Sequence, residues 1–210
     1  MTKNINAKKI LKKGLKTGIF EECVKLIISA YDEIRINDHF KGQKPLEEVR
    51  RNQLVQTMEC LMPQYKFKHF ITKESATSNP KTFNTLGRID ICVSYKVNYE
   101  QRMISFECKR FIKYSYGEKA IEKAYYEDGI NRYEIEKYPV DKGIAGMISF
   151  FEEGDYTIFN QRLVKNINIH AKNGSFFVLT QYGHDYIYES KVSDVNGNDI
   201  TLNHILLNFT

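Results

Sequence analysis

Three residues of this chain have the types and spacing to do chemistry together: Asp90, Glu107 and Lys109. Asp90 lies in Gly87-Arg88-Ile89-Asp90-Ile91-Cys92-Val93. Glu107 and Lys109 lie in Ile104-Ser105-Phe106-Glu107-Cys108-Lys109-Arg110-Phe111. Along a strand, alternate side chains take opposite faces, so Glu107 and Lys109 share one face while Phe106 and Cys108 take the other. A hairpin turning at residues 98–101 brings the Asp90 carboxylate towards Glu107. Two carboxylates converging on a buried sheet repel each other unless neutralised, and a small set of oxygen ligands suits magnesium or manganese. Such an ion polarises a phosphoryl oxygen and lowers the pKa of a bound water, as phosphodiester hydrolysis requires. Lys109 would position or deprotonate that water, or stabilise charge on the pentavalent phosphorus. The backbone carbonyl of Cys108 would add an oxygen ligand.

The rest of the chain must position this group. Apolar residues at helical spacing from Ala7 to Ile36 predict helix, with Gly14 and Gly18 dividing it in two. Pro45 opens a further helix, whose first turn carries Glu47 and Glu48 and whose run continues through Leu61 until Pro63. Alternation over Tyr65–Ile71 predicts a strand, and Ser75–Thr85, containing Pro80, a loop. Two strands, Arg88–Val97 and Arg102–Phe111, form the hairpin. A helix over Glu118–Tyr138 ends at Pro139, and Gly143–Phe151 reads as a buried strand. A helix over Tyr156–His170, strands at Phe176–Thr180 and Asp185–Ser190, and an apolar strand or docked tail at Ile200–Phe209 complete the chain. Helices and strands that alternate in this way predict α/β architecture around a mixed sheet.

Composition bounds the function classes. With 210 residues, 42% hydrophobic and 27% charged, the chain can bury one substantial core. Residues 1–10 are polar and basic and no apolar stretch is long enough to span a bilayer, so a cytoplasmic protein is expected. Cys23, Cys60, Cys92 and Cys108 have no CxxC spacing and read as small core residues. The formal net charge of +5 permits a polyanionic partner. Lysines cluster at positions 8, 9, 12, 13 and 16, where they read as a solvated helix face. A second cluster, Lys109, Arg110 and Lys113, adjoins the suspected carboxylates and makes a phosphate partner attractive.

Asp90, followed by sixteen intervening residues and then Glu107-Cys108-Lys109, resembles the motif of the PD-(D/E)XK nuclease superfamily, which includes many restriction endonucleases. Ile89 stands where that motif has its proline. The resemblance covers residues 45–180 and implies a restriction-endonuclease-like core preceded by an N-terminal helical extension at residues 1–44. It implies a magnesium- or manganese-dependent endonuclease acting on DNA, with Asp90, Glu107 and Lys109 catalytic and Asp90, Glu107 and the Cys108 carbonyl on the metal. A glutamate from the preceding helix is a further ligand, with Glu48 chosen and Glu47 its rival. Tyr126–Tyr133 and Gly143–Ile148 are similar to small restriction-endonuclease-like proteins among bacterial defence genes, which implies a role in restriction or phage defence. Cutting both strands of a duplex commonly needs two sites, so a homodimer is plausible.

Each residue has a plainer reading. E-x-K triplets are common, and Glu107 and Lys109 alone would be a solvated strand face. Glu48 is also the acid a first helical turn favours. Arg110, Lys113 and Arg132 are candidate nucleic-acid contacts, although Arg132 has Asp128 four residues earlier as a ready ion-pair partner. Tyr125, Tyr126 and Tyr133 would stack on bases or form half-buried core. The five histidines lack metal-ligand spacing, and His184 reads as a loop residue. Two other classes stand beside the nuclease: a nucleic-acid-binding module without turnover, and a subunit of a defence complex docked through its basic N-terminal helices.

Overall fold

The computed structural model of the chain describes residues 3–37, 40–78, 85–113, 115–138, 140, 143–179 and 186–210, with side chains described from residue 18 except at 77, 78 and 85–87. The elements run α1 (Lys3–Ile36), α2 (Glu47–Leu61), β1 (Phe70–Ser78), β2 (Thr85–Val97) and β3 (Glu100–Phe111). Next come α3 (Glu118–Ile121), a π-helical segment (Glu122–Ile130) and α4 (Asn131–Glu134), which follow one another directly. The chain continues with β4 (Ile144–Phe151), α5 (Tyr156–His170), β5 (Phe177–Val178), β6 (Ile187–Ser193) and β7 (Asp199–Asn208). The strands form one seven-stranded mixed sheet in the order β1-β2-β3-β4-β7-β6-β5. The β3/β4 and β4/β7 pairs are parallel and the others antiparallel. The expected α/β class with a central mixed sheet is therefore present.

Parallel strands are normally covered on both faces, and here the two faces carry separate cores. One is packed by α1 and α2 against Ile91, Val93, Phe106, Cys108, Ile148 and Ile205. The other is packed by the α3–π–α4 helix and α5 against Phe111, Met147, Leu202 and Leu206. In α1 the buried positions Phe20, Cys23, Val24, Ile27, Tyr31 and Ile34 follow helical spacing. Residues on both sides of position 44 thus share the first core. Phe20 stacks on Phe106 beneath the strand of interest.

Several sequence expectations are corrected. α1 is one helix rather than two, since an interior glycine costs only about 1 kcal/mol and the buried stripe from Phe20 onward more than offsets it. Tyr65–His69 is not strand: β1 begins at Phe70 and runs through the stretch expected to be loop as far as Ser78. The segment around Pro80 and His184 lies outside the described residues. The C-terminal apolar segment is a strand, placed between β4 and β6. Cys23, Cys92 and Cys108 are buried, whereas Cys60 is exposed.

The π-helical segment has a readable cause. Ile121, Tyr125, Gly129 and Tyr133 are all buried at intervals of four. On an α-helix each such step drifts by about 40°. The wider turn with i→i+5 bonding removes that drift and keeps all four on the sheet. Close packing continues underneath: a Cβ added at Gly146 would collide with the ring of Phe106, its paired neighbour on β3. At the far end of the β2–β3 hairpin, Asn98 and Tyr99 both take left-handed backbone. Glycine is favoured at the second of these positions, and an ordinary L-residue there costs about 1–2 kcal/mol.

Candidate active site

The β2–β3 ladder runs from Val97↔Glu100 to Ile91↔Phe106 and stops. Asp90, one residue beyond, and the backbone N–H groups of Cys108 and Arg110 lie past the end of the pairing. Side-chain carboxylates take over there. Asp90 Oδ2 accepts from the Cys108 N–H at 2.8 Å, and Glu47 Oε2 accepts from the Arg110 N–H at 2.8 Å. Two acids from different elements are thereby held along the edge of the strand that carries Glu107 and Lys109.

Glu107 is the most enclosed of the group, with 1% of its surface exposed. Its Oε1 accepts from Lys109 Nζ at 2.7 Å and from Arg132 Nη1 at 2.6 Å. Among the described residues its buried Oε2 accepts no hydrogen bond. Asp90 Oδ1 accepts from Arg51 Nη1 at 2.6 Å, and the other end of that guanidinium donates to Glu74 Oε1 at 2.6 Å. Three carboxylates (Glu47, Asp90, Glu107) therefore face three cations (Lys109, Arg51, Arg132), and the cluster is close to neutral.

Burial outweighs these cations for Glu107, whose carboxyl is pushed up to about 7, with Lys109 opposing and Asp90 adding to the rise. Burial raises Glu47 as well. The unfolded value for a glutamate is about 4.3, so between there and 7 the folded chain binds a proton that the unfolded chain has released. Stability from this group is full at the acid end and is lost as the pH rises through 7. Buried His204, held neutral, contributes the opposite slope up to about 6.5, so the decline is read from the difference between wild type and Glu107→Gln in denaturant unfolding in EDTA at pH 5, 6 and 7.5. In Glu107→Gln that component will be absent.

The structure brings Asp90, Glu107 and Lys109 together as the spacing implied. It places Glu47 rather than Glu48 beside them, since Glu48 is exposed. The phase of α2 decides this: Arg50, Arg51, Leu54, Val55 and Met58 are buried, and Glu47 lies on the same stripe. Cys108 meets Asp90 through its N–H. Arg132 does not form its ion pair with Asp128; it donates to Glu107 and, at 2.7 Å, to the Tyr138 hydroxyl. Arg110 is half-buried with its Nε enclosed, and Lys113 is exposed. Tyr125 and Tyr133 are fully buried and unavailable to bases, while Tyr126 is stacked on His170 at 3.4 Å between centroids. Arg51 and Tyr138 gave no signal in the sequence.

His204 belongs elsewhere. It is fully buried between the Tyr125 hydroxyl and Ser190 Oγ, each at 2.8 Å, and burial pulls it down to about 3. It acts as a neutral polar strut.

A divalent cation is the group this donor set would suit. Hard oxygens dominate it, and the buried Oε2 of Glu107 has no hydrogen-bond partner among the described residues. Among the described residues no three ligating side chains form a cage, and Arg51, Arg132 and Lys109 are bonded to the carboxylate oxygens. A cation would need these three side chains to move aside. No family model matches this chain, and neither does any curated protein or solved structure. Among the described residues no helix is long and apolar enough to cross a membrane.

Proposed function

We propose that this chain is a metal-dependent nuclease of the restriction-endonuclease-like kind, hydrolysing phosphodiester bonds in DNA with magnesium or manganese. The observation that carries the reading is the meeting of Asp90, Glu107 and Lys109 with Glu47 at the unpaired edge of β3, around a buried carboxylate oxygen that has no partner. The order of elements supports it too. A helix bearing an acid, the hairpin, the E-x-K strand, a covering helix and an apolar strand follow one another as α2, β2–β3, α3–π–α4 and β4.

The residues that would hold the ion are Asp90, Glu107 and Glu47, with Glu48 too exposed to join them. When bound, the ion would polarise the phosphoryl group and make a hydroxide available near neutral pH. Lys109 carries three N–H donors. One is held by Glu107, and the others can meet the attacking water or the developing charge on phosphorus. Gly129 lies beside this lysine, and a Cβ there would collide with Met147 Cε at 2.7 Å. Arg132, which also donates to the Tyr138 hydroxyl, holds the same Glu107 oxygen as Lys109. Arg132, now bonded to Glu107, would be free to meet a phosphate if a cation took its place.

A second reading has its own support. Arg51 and Arg132 occupy oxygens that a cation needs, as they would in a nucleic-acid-binding module without turnover. Calorimetric titration of manganese separates the two. The nuclease reading expects one site per chain, abolished in Asp90→Ala and Glu107→Ala, weakened about tenfold or more in Glu47→Gln and unchanged in Glu48→Gln. A wild-type chain that takes up no ion would favour the silent module.

A further inference from the structure

The helices that cover the site face of the sheet leave β1 and the hairpin end of β2 bare. Phe70 pairs directly with Ser94, and Lys96 with Gln101, so these side chains share one face. Phe70 is 73% exposed, a large aromatic surface that no described residue covers. Together with Lys68 these residues line a groove of about 390 Å³, within the size range of ligand sites. Lys68 and Lys96 are exposed, and neither has an acidic partner among the described residues. The acids nearby are already engaged: Glu100 pairs with Arg102 and Glu22 with His69. A second ring, Tyr99, stands wholly exposed at the hairpin tip, on left-handed backbone that no packing rewards.

Aromatic faces interleaved with unpaired lysines suit one class of partner. Bases stack on the rings irrespective of sequence, and the lysines follow the phosphates. A duplex keeps its bases stacked inside and offers nothing to Phe70, whereas a single strand does. The strand that lines the groove also leads to the chemistry, although Cys92 between them is buried. Ser94, Cys92 and Asp90 succeed one another at alternate positions of β2, so six residues, or about 20 Å, separate Lys96 from Asp90. That reach falls within the ~4–16-nucleotide footprints of single-strand-binding surfaces.

We propose that the groove formed by Lys68, Phe70, Ser94, Lys96 and Gln101 is an accessory subsite for a single-stranded nucleic-acid segment, with a base on Phe70 and phosphates on Lys68 and Lys96. This deepens the nuclease reading, resting on it only in taking nucleic acid as the partner. The substrate it selects carries an unpaired flank beside the scissile bond.

The test is fluorescence anisotropy in EDTA with a labelled 16-nucleotide DNA strand and a blunt 16-base-pair duplex. The wild type is compared with Phe70→Ala/Lys96→Gln and with Phe70→Trp, each checked by thermal melting. The proposal expects the double variant to bind the strand at least tenfold more weakly and the duplex within twofold of wild type. Phe70→Trp should hold the strand as the wild type does. The slope of log K against log salt for the strand should fall by about 0.7 for the lysine removed. Equal strand binding by wild type and double variant would overturn it, as would a wild type that binds no strand. Unchanged strand binding with a lower mass in the double variant would assign the groove to a second copy of the chain and overturn it as well. Cleavage of plasmid, which the double variant should retain, judges the nuclease reading separately.

Discussion

Lys109→Ala is expected to lower phosphodiester cleavage by about 10²–10⁴-fold, the range for loss of a positioned proton-transfer or charge-stabilising group. The residue sits where the reaction would be felt: Nζ is 2.7 Å from the carboxylate of Glu107. The fold should survive the change. Lys109 is half-buried, and Glu107 keeps Arg132 as a charged partner at 2.6 Å. Single-turnover cleavage with saturating manganese measures the chemical step, and an unchanged melting temperature shows that only the site was altered. Lys113→Ala, four residues further and exposed, should stay within a few-fold of wild type.

The largest expected effect on stability lies away from the chemistry. Arg50 and Glu152 form a buried bidentate pair, Nε to Oε1 at 2.7 Å and Nη2 to Oε2 at 2.9 Å, each side chain only 1% exposed. Arg50 also lies over the Phe209 ring at 3.9 Å and donates to Gln53. This pair ties α2 to the end of β4 and so fixes the helix that delivers Glu47 and Arg51. Glu152→Ala leaves a guanidinium buried without its counter-charge and should cost about 3–5 kcal/mol. In a domain of this size that lowers Tm by roughly 6–20 °C. Replacing both partners together, Arg50→Met with Glu152→Leu, should recover most of the loss, because desolvation of the pair offsets much of its attraction. Denaturant melts of the two singles and the double measure the coupling; an additive double variant would show that the pair does not act as a unit.

Local patterns were readable and long-range pairings were not. The helix over Tyr156–His170 was legible to the residue, because Asp155 caps it by accepting from the Ile158 N–H at 3.0 Å and a buried stripe follows. The strand bearing Glu107 and Lys109 was legible from alternation, and the hairpin from its turn. Glu47 could have been separated from Glu48. Both satisfy the helix dipole, but only Glu47 lies seven residues before Leu54 and eleven before Met58, on the stripe that becomes buried. Nothing local marks Arg50 as a core residue, because its partner is 102 positions away. Arg132 likewise had an acid at the right helical spacing, yet the buried Glu107 25 positions away holds it. A buried unsatisfied carboxylate outweighs an exposed ion pair worth a fraction of a kcal/mol. The π turn left a trace as four-residue spacing, which α-helical templates hide.

The most direct test of the central claim is incubation of supercoiled plasmid with the purified chain in magnesium, in manganese and in EDTA, beside Glu107→Ala and Lys109→Ala. Nicked or linear product is expected with either metal, none in EDTA and none from either variant. Intact plasmid under every metal, or cleavage that persists in both variants, would contradict it.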